Sequence, residues 1–292
     1  MDETDDANLN HTIATSLDAA SGKDITFDYV VAGVSATGGG TDFSLSDGSG
    51  SISAGETTYD FTAIIKGDVL YEGNETFTIT LSNISNASDG TLVHTVTIAD
   101  NETAPTIGFA EDAMEFSEDV TTKSITVSLN AVSGLDATID YAAVGLTATE
   151  GGVDYTLADG SLTIPANLDP PQVTFDITVV QDALDEASES LIITLSNPGN
   201  ATIGTSQLTY TITDVNDPPS VAFTTNAFSV SEGTVSGQMT LTLSAVSGLD
   251  VTFPYTVSST AALGGGVDYT LVDGTGTIAA GNAGGTIDFT VN

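Results

Sequence analysis

Asp182-Ala183-Leu184-Asp185-Glu186-Ala187-Ser188-Glu189 runs straight into Ser190-Leu191-Ile192-Ile193-Thr194-Leu195-Ser196-Asn197. An acid-rich loop gives way, without a break, to a segment with the rhythm of a β-strand. The same arrangement stands 114 residues earlier, where Asp68, Glu72 and Glu75 lead into Thr76-Phe77-Thr78-Ile79-Thr80-Leu81-Ser82-Asn83. Three carboxylates thus recur at fixed spacing at the mouth of a strand. The chain holds 40 acidic residues against three lysines, Lys23, Lys66 and Lys123, and its formal net charge is -37. Grouped carboxylates with so few cationic side chains to pair them call for a hard cation, and calcium suits an all-oxygen ligand set best.

The acid loop is one feature of a longer period. Gly22-Lys23-Asp24-Ile25-Thr26-Phe27-Asp28-Tyr29 reappears as Gly134-Leu135-Asp136-Ala137-Thr138-Ile139-Asp140-Tyr141 and again as Gly248-Leu249-Asp250-Val251-Thr252-Phe253-Pro254-Tyr255. Gly40-Thr41-Asp42-Phe43, Gly152-Val153-Asp154-Tyr155 and Gly266-Val267-Asp268-Tyr269 keep the same steps, 112 and then 114 residues. Repetition at this length marks tandem domains, assigned as residues 1–103, 104–217 and 218–292. Within each unit, segments such as Val173-Thr174-Phe175-Asp176-Ile177-Thr178-Val179 alternate apolar and polar residues, and Gly, Asn, Asp and Ser clusters separate them. The fold class read from this pattern is all-β: antiparallel β-sandwiches of immunoglobulin or fibronectin type, with roughly seven short strands each, joined end to end. Pro254 stands where the other copies carry Asp28 and Asp140, which predicts an edge strand or an N–H turned away from the ladder.

The terminal units read as incomplete. The first has no counterpart of Phe116-Ser117-Glu118, and the third reaches Asn292 before an acid triplet occurs. Two explanations fit: a fragment of a longer array, or ends completed by neighbouring chains through strand exchange. The junctions Ala99–Pro105 and Thr213–Pro219 are acidic and proline-bearing, as stiff linkers are.

Composition excludes several functions. A basic footprint for nucleic acid is missing, and no apolar run approaches the length of a membrane span. There is no cysteine to make a disulfide or serve as a nucleophile. Of the two histidines, His11 lies near the start and His94 takes the place of Leu208 one period later, as a packed or rim residue would. No nucleophile–base arrangement and no phosphate-cradling loop can be assembled, so an enzyme is not expected. The Gly38-Gly39-Gly40 and Gly264-Gly265-Gly266 runs are read instead as tight turns needing positive φ. Asn-x-Ser/Thr sequons occur at Asn10, Asn74, Asn83, Asn86, Asn101 and Asn200.

The middle unit resembles the Calx-beta domain, a calcium-binding β-sandwich of sodium–calcium exchangers, integrin β4 and bacterial surface proteins. The resemblance rests on Phe116-Ser117-Glu118, Gly152-Val153-Asp154-Tyr155 and Leu162-Thr163-Ile164-Pro165-Ala166, and continues through Asp182-x-x-x-Glu186-x-x-Glu189, Leu195-Ser196-Asn197 and Thr211-Ile212-Thr213-Asp214. It implies a calcium site at one end of each sandwich. In the middle unit the implied ligands are Glu118, Asp154, Asp182, Glu186, Glu189 and Asp214. In the first they are Asp42, Asp68, Glu72, Glu75 and Asp100, with no first-strand Glu. The third offers only Glu232 and Asp268 and should bind weakly alone. Single aspartates stand where the densest sites of the family carry runs of them, which implies fewer ions or lower affinity. Asn216 and Asp217 are secondary candidates for an ion at the junction itself.

These readings point to a calcium-stiffened spacer array in an extracellular or cell-surface adhesion protein, its partners being neighbouring repeats of the same chain. A subunit of an extracellular filament built by strand exchange between copies, or a module binding a glycan or protein, stand as alternatives. Neither nucleic acid nor insertion into a membrane is expected.

Overall fold

The computed structural model describes residues 3–4, 7–233 and 236–292. Among them there are 23 strands and no helix. The middle unit is the fullest sandwich. One sheet runs in the order Tyr155–Thr156, Gln172–Val179, Thr122–Leu129, Thr106–Phe109, Thr202–Ile203. The other runs Gly160–Ile164, Ala137–Gly145, Glu189–Gly199, Gln207–Thr213, Ala113–Ser117. Strict alternation puts Phe175, Ile177 and Val179 inside and Thr174, Asp176 and Thr178 outside on one central strand. The two inner faces meet in a single core that includes Ile125, Ile139, Ile164, Leu191 and Ile193.

The pairing is antiparallel with two exceptions. Ala113–Ser117 runs parallel to Gln207–Thr213, and Thr202–Ile203 runs parallel to Thr106–Phe109. The wholly antiparallel expectation is corrected at these outer positions. The opening segment of the unit supplies a strand to one sheet and then to the other, so it meets the closing strands of the same unit running in its own direction. This places Glu118 and Asp214, one residue past the ends of two adjacent parallel strands, side by side.

The first unit keeps the same central order. Gly48–Ile52, Ile25–Gly33, Glu75–Ser85 and Val93–Ile98 form one sheet, facing Leu9–Ser16, Thr58–Ile65 and Phe43–Ser44. No described strand of this unit corresponds to Thr106–Phe109 or Ala113–Ser117, and the consequence is visible at His94. It is exposed, whereas Leu208 at the same position of the middle unit is fully buried. Of the packed or rim placements read from the sequence, the packed one is therefore ruled out: His94 faces solvent.

In the third unit Val251–Tyr255 pairs only with Gly274–Ile278 among the described residues. Pro254 thus sits on an edge strand, where its missing N–H costs no ladder bond. In the other units the pairing shifts register at this point, with the extra residue on the neighbouring strand that carries Asn83 or Asn197. Asn83 and Asn197 take positive φ there, and their amides donate to Asp28 Oδ2 at 2.8 Å and Asp140 Oδ2 at 2.9 Å. Asn86 and Asn200 likewise donate to the carbonyls of Asp24 and Asp136. Three of the sequon nitrogens, those of Asn83, Asn86 and Asn200, are thus engaged in closing turns.

Candidate metal centre

The acids collect at one end of each sandwich because the elements carrying them end there. In the middle unit, Asp182 and Glu186 lie on the loop leaving Gln172–Val179, and Glu189 opens the next strand. Asp154 immediately precedes Tyr155–Thr156, which pairs with the end of that same Gln172–Val179 strand. Tyr155 pairs with Val179, and the Val180 N–H then donates to Asp154 O at 2.9 Å, fixing the acid against the loop. The Asp154 loop is closed on itself: its N–H donates to Thr149 O at 3.0 Å, and Asp154 Oδ2 accepts the Thr149 N–H. Gly151 and Gly152 both adopt φ of 89° there, a region a side chain enters only with strain. The glycines before this aspartate are therefore part of how it is aimed.

All six carboxylates assigned to the middle unit, Glu118, Asp154, Asp182, Glu186, Glu189 and Asp214, line one small cavity. One oxygen each from Asp154, Glu186 and Glu189 lies within 4.8 Å of the others. Glu118 is only 7% exposed. Asp182 is the outermost of the set, exposed to solvent, with Oδ1 accepting the Leu184 N–H at 2.7 Å.

Electrostatics records the crowding. Burial, then a hydrogen bond and repulsion from Asp154, push the Glu189 carboxyl up to about 7. Burial also raises Glu186, aided by Asp182, Asp154 and Asp214. Glu118 rises through burial as well, partly offset by the Val215 N–H. Asp214 is the exception. Burial would raise it, but N–H groups from Asn216 and Glu186 and the Asn216 amide outweigh that and hold it below its ordinary value. Without a cation these groups must share protons or repel.

The first unit divides its acids into two groups. Asp42, Glu72 and Glu75 repeat the middle triad, and Asp100 joins Glu3 and Glu102; within each group one oxygen per residue lies within 4.8 Å of the rest. Asp68 lies close enough to raise both Glu3 and Glu72. The expectation that this unit has no first-strand Glu is corrected. Glu3 donates its N–H to Ala99 O at 2.9 Å, as Glu118 donates to Thr213 O at 3.0 Å. Burial, with Asp68 and Glu102 next, pushes Glu3 up to about 7, and burial with Asp42 pushes Glu75 up to about 8.

Sequence reasoning missed two residues here, Glu3 and Glu102. The signal for Glu102 lay at Asn216, its counterpart one period on, whose amide donates to Glu118 Oε1 at 2.8 Å and to Asp214 Oδ1 at 3.1 Å. Asp217, the other junction candidate, is exposed. In the third unit Glu232 and Asp268 face a shared pocket otherwise lined largely by Phe228, Met239, Tyr269 and Leu271. Among the described residues they join no third carboxylate.

An all-carboxylate set drawn from four chain segments, without imidazole or thiolate, is the donor chemistry of calcium rather than of a transition metal.

Tandem β-sandwiches with acid-lined tips define the class. The Calx-beta domain profile matches residues 11–102, 100–216 and 214–292, so the chain belongs to the Calx-beta family, calcium-binding domains that here stand three in tandem. Among solved structures the chain is similar to CBD12 from CALX1.2, at 19% identity over 70% of this chain and 92% of that one, with a TM-score of 0.35. It is also similar to the calcium binding domain CBD12 of CALX1.1, at 18% identity over 70% and 93%, with a TM-score of 0.33. The apo-form Calx CBD1 domain is similar at 22% identity over 39% of this chain and the whole of that one, with a TM-score of 0.37. A comparison with curated proteins finds no match.

Proposed function

We propose that this chain is a calcium-stabilised spacer, a series of structural repeats belonging to an extracellular or cell-surface adhesion protein. The observation that carries the reading is the convergence of Glu118, Asp154, Asp182, Glu186, Glu189 and Asp214 on one cavity, repeated in the first unit by Asp42, Glu72 and Glu75. Asp42, Asp68, Glu72, Glu75 and Asp100, joined by Glu3 and Glu102, hold calcium in the first unit. The six middle-unit acids hold it in the second. Glu232 and Asp268 contribute weakly in the third.

The role is mechanical rather than catalytic. The acids recur with the domain, as structural features do, and a net charge of -37 on an array without disulfides makes divalent cations a principal source of order. Outside the cell, where calcium is abundant, modules of modest affinity are filled. A site at tenfold its dissociation constant adds about 1.4 kcal/mol to the stability of its unit.

Melting and small-angle scattering of the whole chain, in calcium and in chelator, test the reading. Calcium should raise the melting temperature and narrow the distribution of end-to-end lengths. If both curves superimpose in the two buffers, the proposal is wrong.

A further inference from the structure

The back of the acid loop is covered by the following unit. Tyr71, the residue before Glu72, forms a bridge to Ser133. Its carbonyl accepts the Gly134 N–H at 3.0 Å and the Ser133 hydroxyl at 3.1 Å. The second junction repeats this contact. Asp185, the residue before Glu186, bridges to Ser247. Its carbonyl accepts the Gly248 N–H at 3.0 Å and the Ser247 hydroxyl at 3.2 Å, and that hydroxyl also reaches Asp185 Oδ2 at 2.9 Å.

Ser133 and Ser247 are 3% and 1% exposed, and with Glu118 they make up the buried polar side chains among the described residues. Each serine oxygen also accepts an N–H of its own turn, from Leu135 at 3.1 Å and from Leu249 at 3.0 Å. The hydroxyl proton is thereby aimed at the preceding unit.

The glycine has a separate reason. A Cβ on Gly134 would stand 2.5 Å from Glu72 Cγ and 2.6 Å from Oε1; on Gly248 it would stand 2.6 Å from both atoms of Glu186. Neither glycine has positive φ, so the backbone does not require glycine at either position; what a side chain there would displace is the glutamate of the neighbouring unit. The third copy of the turn supplies the contrast. Ser21 Oγ accepts the Lys23 N–H at 3.0 Å, as in the other two, yet nothing lies within 4 Å of a Cβ on Gly22.

We propose that the Ser-Gly turn at the foot of each following unit is the joint of the array. It positions the loop glutamate of the preceding unit, so that one unit's calcium affinity is set in part by the next. Ser133-Gly134 acts on Glu72 and Ser247-Gly248 acts on Glu186. The inference rests on the reading that these glutamates ligate calcium. Because coupling is reciprocal, the factor by which the joint raises calcium affinity is the factor by which calcium tightens the joint.

The test uses the full chain carrying Glu189→Gln, which weakens the middle site so that calorimetry reports the first. Gly134→Ala, a change in the second unit, should weaken calcium binding in the first unit roughly tenfold or more, as loss of ligand support does elsewhere, and should broaden the scattering profile in calcium. Gly22→Ala, the same change in the uncontacted copy, should do neither. Ser133→Ala removes only the hydroxyl and should give a smaller loss in the same direction. Should Gly134→Ala perturb the fold of its own unit, Gly248→Ala on a Glu75→Gln background, read at the middle site, decides the matter in the same way. Unchanged affinity and unchanged scattering, in a chain that does bind calcium, overturn the joint alone. A parent chain that takes up no calcium overturns the functional reading and the coupling with it.

Discussion

The tips of the first and middle units share a backbone, and one of their side-chain differences falls against the closing aspartate: Glu102 in the first, Asn216 in the middle. Asp100 Oδ1 accepts the Glu102 N–H at 3.0 Å, and Asp214 Oδ1 accepts the Asn216 N–H at 3.0 Å. Asp100 Oδ2 accepts from Glu72 and Gly73, and Asp214 Oδ2 accepts from Glu186. In the middle unit the Asn216 amide then reaches two carboxylates at once, Glu118 and Asp214, and its partly positive nitrogen supplies some of what a cation would. In the first unit that position is Glu102, a further carboxylate grouped with Glu3 and Asp100. The geometry of the tip is thus a property of the strands, while the charge beside the closing aspartate changes with the residue at this position. In both units the triad glutamate is raised by burial and by the aspartate beside it, Glu75 to about 8 with Asp42 and Glu189 to about 7 with Asp154.

That contrast can be sharpened by chelation, where the largest effect is expected. Removing calcium should cost the first unit more stability than the middle one, so the two melt further apart than in calcium. An ion at 100 times its dissociation constant contributes about 2.7 kcal/mol, which is roughly 10–20 °C for a unit of this size. Domain-resolved hydrogen exchange with and without chelator measures the difference; equal losses in the two units would break the comparison.

Exchanging the deciding side chain is a more selective intervention. Glu102→Asn should make the chelated first unit more stable by roughly 1 kcal/mol, the scale of a net hydrogen bond, and lower its calcium uptake. Asn216→Glu should do the reverse in the middle unit. Melting and calcium titration of the two variants, side by side, check both signs.

The smallest effect is in pH. Glu75 has a folded value of about 8 against an ordinary value of 4.5, so the folded apo unit holds a proton that the unfolded chain releases. The stability associated with that proton is fully present below about 4.5 and is lost as pH rises toward about 8. Glu3 and Glu189, at about 7, act in the same direction. In chelator the melting temperature should therefore fall across this range, and calcium, which replaces the protons, should flatten the slope. A slope unaffected by calcium would separate the acids from the ion.

The period, the strands and the acid triads could be read directly from residue spacing, because strands that end at one tip bring their flanking loops together. Asp154, Glu186 and Glu189 became neighbours for that reason alone. Glu3 escaped because it lies 115 residues before Glu118, off the 112- and 114-residue steps that the other markers keep; only the bond from its N–H to Ala99 O aligns it with Glu118. Whether His94 was packed or at the rim could not be read from the period, because a position that packs in one copy faces solvent where no described strand covers it. The Ser-Gly turns showed only as the glycine that opens each copy of the repeated marker, since their role depends on a contact between units that no periodicity within a unit encodes.

The central claim is that the acids at each tip clamp calcium. Calorimetric titration of the whole chain, beside its Glu75→Gln and Glu189→Gln variants, tests it most directly. Saturable uptake should fall by one class of site in each variant while the other site stays filled. Absence of binding in the parent, or an isotherm that neither substitution alters, would contradict the account.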